Sequence, residues 1–318
     1  MRTKINGARI LVTGGAGFIG SHLADRLITE GADKVIVIDN LFLGNLENLK
    51  GAQKQGAIFI CDDAEIPGVL DYIIKDNGID IVFNCATKAL NYSFINPSNA
   101  FMTNVNIISI LLELLRAERF NTLCHFSSSE VYGSAMYEPM DEKHHMNPTT
   151  TYASGKAAAD LMLFSYVKQY ELDAFIMRPF NNYGPRQNFQ GPLAGVIPMT
   201  VKHILSGEPP EIHGTGEQSR DYIFVLDTVN AVIKLYDILG KGDVVNVSSN
   251  GQITINDLVS SIAKEMDYSG EILRKEARTA DVFCHNASNE KMRRFIDFSP
   301  ISLQEGLKQT IAWYREQR

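Results

Sequence analysis

Tyr152 and Lys156 stand four residues apart in TYASGKAAAD, so on a helix both side chains project from one face. A phenol titrates near pH 10. Acting as a base at neutral pH requires about 3–4 kcal/mol of differential stabilisation. A lysine cation one turn away works in that direction, and so does a cationic ring bound beside the pair. Alone, the spacing is common by chance and more often decorates a surface. A second motif changes its weight. TGGAGFIG, Thr13–Gly20, directly follows a short apolar run and opens a helical pattern. Gly15, Gly17 and Gly20 fit G-x-G-x-x-G, and Gly14, Gly17 and Gly20 fit a G-x-x-G-x-x-G variant. Glycines let the turn tighten and the backbone approach a pyrophosphate, while the helix start offers it unpaired N–H groups. Asp39 lies 19 residues past Gly20, at the tip of the next apolar run, where a carboxylate can hold both ribose hydroxyls. That carboxylate would repel a 2′-phosphate, and no arginine follows it closely, so the pattern predicts NAD rather than NADP. Asp62, just past the third run, is a candidate for the adenine amino group, with a solvated loop carboxylate as the alternative.

The elements that must position these groups alternate along the first half. Apolar runs at Arg9–Thr13, Val35–Asp39, Ala57–Cys61, Ile79–Cys85, Thr122–Ser127 and Asp173–Pro179 read as strands. Helical patterns lie between them, notably Ala100–Ala117 and Tyr152–Tyr170. Such alternation predicts a Rossmann-type α/β fold, a doubly wound parallel sheet whose strands are buried on both faces. After Pro179 the stretch NNYGPRQNFQGPLAGVIP marks long loops, and shorter mixed elements follow. The expected organisation is an NAD-binding domain over 1–180 and a smaller substrate-binding α/β domain over 181–318, with a possible strand exchanged back to the first.

With 318 residues, 45% apolar and 21% charged, the chain reads as an ordinary globular protein with a sizeable core. Thirty Lys and Arg against 37 Asp and Glu give a net charge of −7 without a basic stripe, which argues against nucleic acid and anionic membrane as partners. Apolar runs are short and interrupted, so no membrane-spanning helix is expected. The polar start, Met1 to Asn6, carries no export signal, and a cytoplasmic location is expected. Cys61, Cys85, Cys124 and Cys284 form no Cys-x-x-Cys pair and read as buried, reduced packing residues. No metal site is expected. His144 and His145 sit in a polar loop with no partner pattern, His125 reads as a core histidine, and Trp313 as packing on a C-terminal amphipathic helix.

Taken together, the glycine loop, the Tyr-x-x-x-Lys pair, DNLFLGN (Asp39–Asn45), FMTNV (Phe101–Val105), SSSEVYG (Ser127–Gly133), RPFNNYGPRQ (Arg178–Gln187), GTGEQSRDYIFV (Gly214–Val225) and SLQEGL (Ser302–Leu307) resemble the extended short-chain dehydrogenase/reductases, the NAD-dependent nucleotide-sugar epimerases and dehydratases. The resemblance runs essentially end to end. It implies that Tyr152 takes the C4 hydroxyl proton of a sugar while hydride leaves C4, giving a 4-ketone that acidifies the C5 hydrogen. Ser128 would hydrogen-bond the C4 oxygen, Glu130 would be the C5 base, and Ser129 stands at the neighbouring acid position. Glucose 4,6-dehydratases usually carry Thr-Asp-Glu here, and galactose-type 4-epimerases usually lack the acid at Glu130. This chain has Ser-Ser-Glu, so it keeps the base and lacks the Asp.

The same resemblance adds Phe18, Ile19, Asn40, Gly44, Asn45, Ala86 and Asn104 as cofactor contacts. Lys88 departs from the family pattern, and a lysine after the fourth strand can reach a ribose, a phosphate or the sugar. Asn181, Arg220 and Arg278 match positions that hold the substrate diphosphate, and Val196 one that flanks the base. Arg186 is equivocal. CATKALNYSF (Cys85–Phe94), MYEPMDE and NPTTTYASGKAAAD are most similar to UDP-N-acetylglucosamine dehydratases of the tunicamycin and Bacillus nonulosonic acid type. The expected activity is therefore an NAD-dependent dehydratase acting on a UDP-sugar, with a 4-epimerase or a UDP-glucuronate decarboxylase as alternatives. A homodimer is expected, in which the family's counterparts of Ala100–Ala117 and Tyr152–Tyr170 form a four-helix bundle. Val105, Ile108, Leu112 and Leu115 are the expected surplus apolar set.

Overall fold

The computed structural model describes residues 2–277 and 284–317. Six strands come from the first 180 residues: β1 Arg9–Thr13, β2 Lys34–Asp39, β3 Ile58–Cys61, β4 Ile81–Asn84, β5 Thr122–Phe126 and β6 Ala174–Pro179. Between them run the helices α1 Phe18–Thr29, α2 Lys50–Lys54, α3 Val69–Asn77, α4 Pro97–Arg116 and α5 Thr151–Tyr170. The strands pair in parallel in the order β3-β2-β1-β4-β5-β6. Side chains alternate across the sheet, yet both faces are covered. Ile10 and Val12 join one apolar cluster and Leu11 the other, all fully buried. That is why the strands read as unbroken apolar runs. The strand order reverses between β1 and β4, and the crevice of such a fold opens there, at the carboxyl ends.

The second half supplies β7 Asn181–Tyr183, α6 Val196–Ser206, β8 Glu211–His213, β9 Ser219–Arg220, β10 Tyr222–Phe224, α7 Val225–Tyr236, β11 Val244–Val247, β12 Ile253–Thr254, α8 Ile255–Glu265, β13 Leu273–Lys275, β14 Cys284–His285, α9 Glu290–Phe295 and α10 Leu303–Glu316. Strand β11 returns to the large sheet as its seventh strand, parallel to β6 with Val244 opposite Ile176. The other short strands make three small sheets, β7 with β10, β8 with β13, and β12-β9-β14. Helices α6, α8 and α10 enclose a separate apolar cluster that includes Ile197, Leu258, Ile262 and Leu307. Trp313 is half-buried at its edge, edge-on to Phe189.

Several expectations change. Only Cys124 is fully buried, and Cys61 is exposed, although all four cysteines are unpaired. His144 is buried rather than solvated. Its Nε2 accepts from the Met136 amide at 2.9 Å, and its ring packs on Tyr132 and Tyr137. Helix α4, with a mean hydropathy of 1.3, is long and apolar enough by length and composition to cross a membrane, contrary to the reading of its runs. Much of that apolarity faces the sheet. Ile108, Leu112 and Leu115 are buried there and Val105 is half-buried, so they are not a surplus. The large apolar residues left outward on α4 and α5 are Met102, Leu161 and Tyr170.

Candidate active site

The glycine loop closes on itself at the tip of β1. Gly14 has φ +65°, and a Cβ there would lie 2.7 Å from the Ala86 Cα, so no other residue fits without shifting the loop after β4. Gly17 caps α1 without a side-chain hydrogen bond, which leaves the first-turn N–H groups to a ligand. The Asp39 carboxylate ends β2 beside this turn. It accepts from the Ala16 amide at 3.1 Å and the Leu41 amide at 2.8 Å. Burial raises its pKa, and those amides, with Lys88 nearby, pull it back. A Cβ on Gly44 would stand 2.6 Å from Asp39 Oδ1, so a glycine keeps that carboxylate accessible.

A cavity of about 480 Å³ runs from this turn to the end of β5. Gly14, Gly17, Phe18, Ile19, Gly20, Asp39, Asn40, Gly44, Asp62, Ala86 and Lys88 line it at one end. Ser128, Ser129, Glu130, Tyr152, Lys156, Asn181 and Val196 line it at the other. Asn45, which is exposed, and Asn104, which is buried, do not line it. Asn45 accepts from the Glu47 amide and caps a short turn. Asn104 accepts from the Thr87 hydroxyl at 2.8 Å. Lys88 is 8% exposed, and its ammonium sits 4.1 Å from the centre of the Phe42 ring. Arg186 lines the cavity too and pairs with Asp25 at 2.7 Å.

The candidate reacting groups converge where β5 ends and α5 begins. Ser128 Oγ accepts from the Glu130 amide at 3.2 Å, starting the short turn Ser129–Tyr132 that presents Glu130. The half-buried Tyr152 phenol is pushed up to about 12, by burial first and then by the Glu130 charge. Hydrogen bonds with Ser128 and Thr87 act the other way. Lys156 is buried, donates to the Phe126 carbonyl at 2.7 Å, and is lowered to about 8 by burial. The phenol is thus not lowered by the protein alone, as the four-residue spacing had suggested. Behind these groups Asp160 accepts from Ser127 at 2.7 Å and from Arg178 at 2.9 Å, which ties β5, α5 and β6 together.

A second cavity of about 230 Å³ adjoins the first and shares Leu90, Glu130, Asn181, Val196 and Tyr222 with it. Arg220 lines it, with His203, Glu211 and His213. Arg278, the other arginine expected to meet a diphosphate, falls outside the described residues. Two residues at the site escaped the sequence. Thr87 sits beside Lys88 just past β4 and could have been found from that position. His285 could not, because β14 reaches the site from far along the chain.

A profile of the NAD dependent epimerase/dehydratase family matches residues 10–248. The chain belongs to that family. Members with related sequences include 4-epimerases, 4,6-dehydratases and UDP-glucuronic acid decarboxylases. A putative UDP-glucose 4-epimerase of Methanocaldococcus jannaschii is 32% identical over 310 residues, covering 96% of this chain and 98% of that protein. Among solved structures, the UDP-N-acetylglucosamine 4-epimerase of Methanobrevibacter ruminantium superposes with a TM-score of 0.90 at 33% identity, covering 98% and 100% of the two chains. The dTDP-glucose 4,6-dehydratase DesIV of Streptomyces venezuelae, solved with NAD, gives 0.92 at 28% identity, covering 98% of each. This epimerase/dehydratase is an NAD-dependent enzyme, and its own residues fit that cofactor. The Asp39 carboxylate faces the cleft, and Gly14, Gly17 and Gly44 leave the space a dinucleotide needs.

Proposed function

We propose that this enzyme is a dehydratase of UDP-N-acetylglucosamine or a close UDP-sugar. The carrying observation is the placement of Glu130. It lines both the cofactor cleft and the adjoining cavity, beside Ser128 and Tyr152 and facing Asn181, Val196 and Arg220. NAD, when bound, supplies the acceptor for the C4 hydride and its later donor. Tyr152 takes the C4 hydroxyl proton, Lys156 placing positive charge beside it, and Ser128 holds the oxygen that becomes the ketone. Glu130 removes the C5 proton, whose electron pair spreads onto that ketone. The C6–oxygen bond then breaks, and the C5 proton and C6 hydroxyl leave together as water. Arg220 and Asn181 would hold the diphosphate, with Arg278 as a further candidate, and Val196 would flank the base.

A 4-epimerase is the second reading, favoured by the relatives of that name at 32% and 33% identity. It requires the 4-ketone but no C5 deprotonation. The two part on one variant. Glu130→Gln keeps shape and hydrogen bonding yet removes the proton acceptor. In a dehydratase it accumulates reduced cofactor and 4-keto sugar, while C5 deuterium exchange and water loss fall about 10²–10⁴-fold. Product NMR in deuterated solvent, with UDP-N-acetylglucosamine, UDP-glucose, UDP-glucuronate and dTDP-glucose each offered, reads both the reaction and the substrate. Full turnover of Glu130→Gln without C5 exchange replaces the dehydratase by the epimerase.

The proposal includes a homodimer through the outer faces of α4 and α5, supported by exposed Met102 and Leu161 on adjacent helices. A cytoplasmic location accords with four unpaired cysteines.

A further inference from the structure

Residue His285 lies in β14, a two-residue strand of the small sheet β12-β9-β14. It is opposite Arg220 in the parallel pair of β9 and β14, so one short sheet carries both the candidate diphosphate anchor and an imidazole. The ring is fully buried and packs at 5.4 Å on Phe180. Its Nδ1 lies 3.9 Å from Glu130 Oε1, and apart from an interaction with the Ser129 carbonyl neither ring nitrogen has a hydrogen-bond partner among the described residues. A buried imidazole with a ring nitrogen left unpaired is costly, so a group beside it that can exchange hydrogen bonds with it gives the arrangement its reason. Glu130 is the near candidate, 15% exposed and at the cavity wall.

The ring is neutral near pH 7. Burial lowers its pKa to about 3, with the charges of Arg220 and His144 adding to the effect and the Ser129 carbonyl opposing it. It is therefore not an ion-pair partner that would trap Glu130 as a carboxylate. A neutral imidazole can donate to a carboxylate and, as the other tautomer, accept from a carboxylic acid. Such a partner suits a group that must pass between those two states in each turnover.

We propose that His285 is a positioning residue for Glu130, its neutral ring aiming the carboxyl at the sugar C5 through a hydrogen bond that closes the present gap. It acts through Glu130 and lines neither cavity itself. The inference rests on the reading of Glu130 as the C5 base.

The test follows two half-reactions in the whole enzyme with UDP-N-acetylglucosamine in deuterated solvent. The first is cofactor reduction in a single turnover, and the second is deuterium incorporation at C5. His285→Ala is expected to slow exchange about 10²-fold through loss of aim, with cofactor reduction within a factor of two or three. His285→Asn, which offers an amide near the Nδ1 position, should recover most of the exchange. His285→Phe, which keeps the bulk and removes both nitrogens, should not. The opposite order, with Phe recovering and Asn failing, makes His285 a packing residue and overturns the proposal. Equal slowing of both half-reactions in His285→Ala overturns it too. Glu130→Gln run in parallel separates the two claims. Exchange retained there overturns the base assignment and His285 with it. Exchange lost there but untouched by His285→Ala overturns the His285 role alone.

Discussion

At the scale of single residues, the site divides into groups that hold and groups that react. Asp39 holds. Each hydrogen bond to a charged acceptor contributes about 1.5–3 kcal/mol, so Asp39→Ala should weaken NAD retention about 10²-fold. The check is the cofactor released on denaturing the purified variant and the wild type. Release of NADP from the wild type would contradict the reading of that carboxylate. Tyr152 is the proposed reacting group, although burial and Glu130 raise its phenol rather than lower it. In the proposed mechanism the base forms with help from beyond the protein, and the positive ring of the oxidised cofactor is the group suited to it. Tyr152→Phe should abolish cofactor reduction and C5 exchange together, each by at least about 10²-fold, whereas Glu130→Gln separates them. Stopped-flow absorbance of the reduced cofactor distinguishes the two variants.

At the scale of elements, two contacts set where the reacting groups stand. Helices α4 and α5 meet at Gly155, where a Cβ would lie 2.7 Å from the Phe101 carbonyl oxygen. Gly155 is next to Lys156 and three residues from Tyr152, so the close crossing positions the candidate catalytic pair. Gly155→Ala gains helix propensity but must push α4 outward, and overpacking should win by about 1–3 kcal/mol. A lower thermal midpoint with slower cofactor reduction is the expected result. The second contact joins α1 to the loop after β7. His22 Nε2 donates to the Pro185 carbonyl at 3.0 Å, and burial, with Arg186 adding, lowers the His22 pKa to about 4. An unfolded histidine titrates near 6.5, so the unfolded chain binds this proton first as the pH falls. Stability is full above pH 6.5 and is lost between about 6.5 and 4, by about 1–2 kcal/mol at pH 5. Urea midpoints at pH 7 and pH 5 should differ accordingly, and His22→Gln should shrink the difference.

For the whole molecule, the seventh strand, β11, comes from the second half and closes the edge beside β6, so the halves share one sheet. They are expected to unfold as one cooperative unit rather than in two steps. Outward Met102 and Leu161 support the proposed four-helix dimer contact. Leu161→Arg should convert a dimer into a folded monomer, with unchanged circular dichroism and half the mass by light scattering. A wild type that is monomeric at micromolar concentration would remove the dimer from the account.

The sheet was legible because parallel strands buried on both faces must be apolar throughout, and Arg9–Thr13 matches β1 residue for residue. The glycine turn, Asp39 and the Tyr152–Lys156 pair were legible for a similar reason. Each is a local requirement, a φ, a spacing or a strand end, that one short segment satisfies alone. Resemblance to relatives marked Glu130, Asn181 and Arg220, and folding brings them to two joined cavities. Other features were decided only in three dimensions. Ile108 and Leu112 looked surplus until the sheet was seen to cover them, because helical periodicity says which face is apolar and not what it meets. His144 looked solvated because its neighbours in the chain are polar, while its neighbours in space are Tyr132 and Tyr137. The phenol's raised pKa depends on burial and on Glu130, 22 positions earlier in the chain. His285 comes to Glu130 from 155 residues away, and no spacing rule acts over that separation. Local sequence determines backbone conformation and the face a side chain takes. Burial and charge at a site are sums over groups that only the folded chain brings together.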